Sequence, residues 1–142
     1  MIELEKITDR NICYYSDFEK ADLSKYQSRI YPHKKSDTLS WYYIKFNSGY
    51  IGSVWLEKYG LDNFAVLGIF IADNKCRNRG IGSCAIKSVL ADMEILNINE
   101  VRLRVREENT RAIKCYQKSG FAETGRYTKD NGINVIEMVY KR

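Results

Sequence analysis

Between Arg77 and Ser83 the chain runs Arg77-Asn78-Arg79-Gly80-Ile81-Gly82-Ser83, two guanidinium cations followed by two glycines at alternate positions. Glycine carries no Cβ, so the backbone there can be approached closely, and the apolar helical period that begins at Ile81 puts both glycines at a helix start. The first N–H groups of a helix lack partners within it and sit at the positive end of its dipole, where an anion is favoured. Three readings are open for these residues. One is a pyrophosphate cradle, to which Arg77 and Arg79 add cations. Another is a dinucleotide fingerprint, since Gly80, Gly82 and Ala85 fit G-x-G-x-x-A and Glu107 lies beyond the next strand. The last is a plain tight turn with solvated arginines. Spacing argues against the fingerprint, because Asp73 to Arg79 separate the glycines from the strand before them and further βαβ units are lacking.

The elements around this loop can be read from periodicity. Met1 to Leu4 fits a short strand, and Asn11 to Ile30 reads as helical; Pro32 and the polar run His33 to Asp37 then form a loop. LSWYYIKF, GYIGSVWLE and FAVLGIFIA, separated by short polar connectors, predict a three-stranded antiparallel meander from Leu39 to Ile71. Ile81, Ala85, Val89, Met93 and Leu96 form the stripe of a helix that packs on the sheet, closed by Asn97 and Asn99. Val101, Leu103 and Val105 alternate with Arg102, Arg104 and Arg106, the pattern of a strand with one buried face. Its arginines face solvent or an anionic partner. A second helix is expected from Thr110 to Ser119, N-capped by Asn109 and ended by Gly120. Strands near Phe121 to Tyr127 and Ile133 to Tyr140 complete the chain, with Asp130-Asn131-Gly132 turning between them.

This order predicts an α+β fold, a single domain over residues 1–142 with a helical region at 1–38, which the resemblance given below implies to be the acceptor side, and the sheet at 39–142. The strands before Arg77 and after Asn99 should lie parallel, joined by a crossover helix that carries the glycine loop. With 142 residues and one proline there is room for one core and no sign of a Pro-rich linker. No apolar run approaches the roughly 20 residues needed to cross a bilayer, and MIELEKITDR holds no apolar signal core, so a cytoplasmic location without a membrane partner is expected. Cys13, Cys76, Cys84 and Cys115 show no C-x-x-C spacing and His33 is the sole histidine, so neither a metal site nor a thiol nucleophile is indicated. The net charge of +5 suits a polyanionic ligand.

Taken together, Arg77-x-x-Gly80-x-Gly82 after LGIFIAD, then VRLRV, then Asn109-Thr110-Arg111-Ala112-Ile113-x-x-Tyr116-x-x-x-Gly120-Phe121 resembles the acetyl-CoA-binding core of the GNAT superfamily of N-acetyltransferases. The closing section GFAETGRYTKDNGINVIEMVYKR is similar to the branch holding the ribosomal-protein N-terminal and polyamine acetyltransferases. The resemblance implies a mixed, mostly antiparallel sheet splayed between two parallel strands, with helices on both faces. It implies acetyl-CoA as donor and no metal, with the pyrophosphate held by Arg77, Asn78, Arg79, Gly80, Ile81, Gly82 and Ser83. The pantetheine arm would pair with Phe70, Ile71 and Ala72. Asn109 would contact the cofactor, and Arg111 would reach a phosphate or remain solvated.

Tyr116 matches the position that in this family protonates the departing thiolate, and its other reading is a core side chain. Where relatives often carry a basic glutamate, before the Leu-Gly of the central strand, this chain has Val66. Glu57 is the substitute base, with water held by backbone carbonyls as the alternative. Direct transfer to a primary amine, of a small molecule or a protein N-terminus, is the activity implied; homodimers are common in the family. A non-catalytic CoA-binding module or a basic nucleic-acid-binding domain is the rival, although nucleic acid is not the expected partner. The CoA protein should fail when Gly82 is made bulky and the nucleic-acid binder should not.

Overall fold

A computed structural model of the chain describes residues 2–21, 29–33, 38–72 and 80–142, with the side chain of Thr38 outside the description. In chain order the strands are β1 (Ile2–Lys6), β2 (Thr38–Phe46), β3 (Gly49–Lys58), β4 (Phe64–Ile71), β5 (Glu100–Arg106), β6 (Ala122–Thr128) and β7 (Asn134–Lys141). Two α-helices, α1 (Ile81–Leu90) and α2 (Thr110–Lys118), flank β5 in sequence, and a 3-10 helix spans Ile12–Lys20 between β1 and β2. The strands make one sheet in the order β1-β2-β3-β4-β5-β7-β6.

The expected meander is present, and its first turn shows why. Asn47 and Ser48 take φ of 50° and 68°, the paired left-handed conformation that matches the twist of a two-residue hairpin. Helix α1 is shorter than its stripe suggests. Regular helix ends at Leu90 and a 3-10 turn, Ala91–Met93, follows, yet Met93 and Leu96 still fill the core. Periodicity of burial thus outlasts the helix by a turn. The N-terminal helical expectation holds only as the 3-10 stretch Ile12–Lys20; residues 22–28 of it lie outside the described residues.

The two sheet faces bury different chemistry. On one, Val54, Leu56, Ala65, Leu67, Val101, Leu103 and Val105 pack with Ile81, Ala85, Ile86 and Val89 of α1 and with Ala112, Ile113 and Tyr116 of α2. On the other, Tyr15 and Phe18 of the 3-10 helix pack on Tyr43, Trp55 and Phe70. Helical segments therefore cover both faces, with the α-helices together on one.

The feature that positions a site is a break in the sheet. β4 and β5 are parallel and pair only through Phe64–Glu100, Ala65–Val101 and Val66–Arg102. Past those rungs β4 stays with β3 as far as Ile71–Gly52, while β5 stays with β7 as far as Arg106–Val135. A wedge opens between them, its vertex at Val66 and Arg102.

Candidate functional site

One wall of the wedge is the outer edge of β4. Ala72 donates its N–H to Ile51 O at 2.7 Å, so ladder alternation commits Ala72, Phe70 and Gly68 to β3 and turns the backbones of Ile69 and Ile71 the opposite way. Of the three residues expected to pair with pantetheine, Phe70 and Ala72 thus face β3 through their backbones. Phe70 also buries its ring against Phe18, with centroids 5.0 Å apart. Ile69, absent from the expected set, presents its backbone to the wedge because strand direction alone decides this.

Helix α1 starts beside the end of β4. Gly80 is its N-cap with φ 74°, a conformation any L side chain adopts only with strain, and nothing stands within 4 Å of where its Cβ would be. Among the described residues no side chain caps the helix; the first intrahelical bond is Cys84 N to Gly80 O at 3.1 Å. Among the described residues the N–H groups of Ile81, Gly82 and Ser83 are left as orphan donors at the positive end of the dipole. The side chains are used elsewhere. Ile81 is buried in the core, and the Ser83 hydroxyl faces α2, 3.3 Å from Ser119 Oγ. Arg77, Asn78 and Arg79 lie outside the described residues.

Gly82 has a different reason to be glycine. A Cβ there would stand 3.2 Å from Cys115 Sγ of α2 and 4.0 Å from Ile71 Cδ1. It is the close contact that brings α1, α2 and the end of β4 together. A bulky residue at 82 therefore damages helix packing whatever ligand is bound, so its failure does not single out a CoA protein. Gly82→Val should lose about 1–3 kcal/mol of stability through overpacking, recovered in part by Cys115→Ala; thermal unfolding of the two variants measures this.

Along α2, Asn109 N-caps the helix, its Oδ1 accepting from Ala112 N at 3.3 Å. The amide nitrogen makes no hydrogen bond among the described residues and remains a donor toward the wedge end of the helix. Arg111 is exposed and without an ion pair among the described residues. Tyr116 is half-buried, its ring 6.0 Å from that of Phe121, and its hydroxyl has no hydrogen-bond partner among the described residues. Burial pushes the phenol pKa well above the usual tyrosine value, with Cys115 a smaller cause. The group stays protonated across the physiological range. Cys115 is likewise raised, chiefly by burial, and so is held as a thiol.

Glu57 is the least expected finding. It sits opposite Val66 in the β3–β4 register, so its side chain shares the face of the residue that lacks a carboxylate. It is fully buried. Oε1 accepts from Arg29 Nη1 at 3.1 Å and Trp55 Nε1 at 2.7 Å; Oε2 accepts from His33 N at 3.1 Å and the Tyr59 hydroxyl at 2.5 Å. The Trp55 indole reaches it by lying across Gly68, where a Cβ would be 2.1 Å from the ring. A carboxylate has about four lone-pair sites, and all four are used. As it stands, Glu57 can meet an amine only if one of those four donors leaves. Trp55, Tyr59, Arg29 and His33 were missed as a group, and the single clue was Trp55-x-Glu57, two residues on one face of a strand.

A parallel pair that parts over a donor-lined helix start defines an acyl-CoA-binding fold of the acetyltransferase type. The chain matches the profile of the Acetyltransferase (GNAT) family over residues 4–121 and belongs to that family. It is therefore an acetyl-CoA-dependent acetyltransferase. Among solved structures it is similar to a Vibrio cholerae spermidine N-acetyltransferase in complex with CoA and spermine, at 17% identity and TM-score 0.77, covering 99% of this chain and 95% of that one. It is also similar to the aminoglycoside acetyltransferase AAC(6')-Ib in complex with coenzyme A and kanamycin, at 16% identity and TM-score 0.76, covering 100% and 95%. No curated protein sequence matches the chain significantly.

Among the described residues no group of three or more His, Cys, Asp or Glu could hold a metal ion, and no helix is long and apolar enough to cross a membrane.

Proposed function

We propose that the protein moves the acetyl group of acetyl-CoA directly to a primary amine, of a small molecule or a protein N-terminus, in the wedge between β4 and β5. The observation that carries this is the wedge itself, with its vertex at Val66 and Arg102 and the orphan N–H groups of Ile81, Gly82 and Ser83 at its open end. Acetyl-CoA supplies an activated thioester. The α1 N-terminus receives its pyrophosphate, with Arg77, Asn78 and Arg79 of the adjoining loop as further donors. The edge of β4 at residues 69–72 lies along the pantetheine arm, and a backbone N–H of that edge polarises the thioester carbonyl. Asn109 turns its free amide nitrogen to the cofactor and Arg111 its guanidinium to a phosphate.

The amine must be neutral to attack. With Glu57 saturated, its proton goes to water. Tyr116 keeps its own proton until negative charge gathers on the departing sulfur and then donates it there, which its raised pKa and uncommitted hydroxyl both suit.

Release of free CoA thiol from acetyl-CoA across a panel of amines and peptides tests the reading. Thiol release should depend on an acceptor. Tight acetyl-CoA binding with no turnover of any acceptor would leave a CoA-binding regulatory module instead.

A further inference from the structure

Beyond the vertex of the wedge, β5 carries Arg104 and Arg106 on the face opposite α1 and α2, because Val101, Leu103 and Val105 point into the core with those helices. Neither guanidinium has an ion pair or side-chain hydrogen bond among the described residues. Their neighbour Arg102 differs: Glu100 Oε2 is 2.5 Å away and the Phe64 ring lies 3.6 Å beneath its Cζ.

Among the described residues, the acids that could serve Arg104 and Arg106 are engaged elsewhere or turned away. Glu107 and Glu123 both bind Arg126, at 2.6 and 2.7 Å. Glu57 is saturated. Glu137 stands directly across from Arg104 in β7, yet its Oε1 leans over Gly125 of β6, 3.6 Å from where a Cβ would be. Glu108 is exposed in the turn after β5. Like charges on alternate residues of a strand repel one another, and ordinarily water suffices to solvate them. What distinguishes this pair is place, since they line the β5 wall of the wedge on the face opposite α1 and α2.

We propose that the acceptor carries a carboxylate close to its amine, and that Arg104 and Arg106 receive it. This rests on the acetyltransferase reading and adds the substrate class. At about 3.3 Å per residue, the two side chains start roughly 7 and 13 Å beyond the vertex, so the anion lies within about a dipeptide's length of the reacting nitrogen. Arg offers a planar fork that binds carboxylate through two parallel N–H donors. The chain as a whole carries +5. A polycationic amine meets repulsion here.

Acceptors matched except for charge provide the test. Glycine against glycinamide probes a free amino acid. Tetrapeptides beginning Ala-Asp against Ala-Asn probe a protein N-terminus. Spermidine represents the polycations. At least one acidic member should exceed its amide partner by about tenfold in kcat/KM, and spermidine by more. Arg104→Gln and Arg106→Gln should each raise KM for that acceptor by about tenfold while leaving kcat, KM for acetyl-CoA and KM for the amide partner within about twofold. Lys87→Gln, on the exposed side of α1, should change none of these.

Spermidine preferred over both acids, or a preference for acids that survives both arginine variants, overturns the proposal and leaves the acetyltransferase reading intact. No turnover of any acidic acceptor also overturns it. A thermal shift with acetyl-CoA, measured on the same preparations, then shows whether cofactor binding has failed as well.

Discussion

Tyr116→Phe should lower kcat by about 10²-fold with little change in the melting temperature. The two effects separate because of how the side chain is held. Its ring packs with Phe121 at 6.0 Å between centroids, a contact phenylalanine keeps, and its hydroxyl makes no hydrogen bond among the described residues that the substitution would break. Removing a hydroxyl that has no such partner orphans no donor or acceptor, so stability should change by about 1 kcal/mol or less. The catalytic loss follows from removing the proton a departing thiolate needs, a contribution of about 10²- to 10⁴-fold for a positioned acid. The sign of the pH dependence is fixed too. Burial raises the phenol pKa, so the acid form is complete below the ordinary tyrosine value and is lost only as pH rises through the higher one. Wild-type kcat should show no decline from this group below about pH 10. Unchanged activity of the variant would remove Tyr116 from the mechanism.

The meander, the parallel pair and the crossover helix were legible because each rests on a local pattern, whereas the placing of β7 between β5 and β6 was not. VRLRV alternates, FAVLGIFI is a continuous apolar run, and α1 has a clear apolar stripe, so their types and sequence order leave few topologies. The place where the parallel pair parts was not legible. Nothing in Phe64 to Ile71 marks Val66 as the last rung; that is decided by β3 and β7 holding the two strands on their outer sides.

The site shows the same division. Gly80 and Gly82 both read as backbone cleared for a ligand, but only Gly80 has open space around it, while Gly82 makes room for Cys115. Ser83 ends the same loop, and its hydroxyl accepts from Ser119 Oγ across the helix contact. At Gly82 and Ser83 side-chain identity answers to packing between the helices, which a local motif does not reveal. The residues of 73–79 lie outside the described residues, so Arg77, Asn78 and Arg79 keep the standing that their sequence gives them.

Glu57→Ala should be the most destabilising single change near the site, at about 3–5 kcal/mol, the range for leaving the partners of a buried charge uncompensated. Four donors lose their acceptor at once. Arg29 is 33% exposed and recovers much of its loss to water, so its share is small. Trp55 is 1% exposed and cannot, and its indole N–H over Gly68 would be buried without a partner. Glu57→Gln keeps the volume and one acceptor oxygen but turns an NH₂ group toward donors; it should cost less, about 1–3 kcal/mol. In a chain of this length each kcal/mol shifts the melting temperature by about 3–5 °C, so the two variants should be separable by calorimetry. Trp55→Phe offers a check from the other side, since it withdraws one donor from the carboxylate and should make the later removal of that carboxylate less costly in a double-mutant cycle. Should Glu57→Gln instead melt like wild type while losing turnover about a thousandfold, the carboxylate would be the proton acceptor after all, and one of its four donors would have to leave before an amine could reach it.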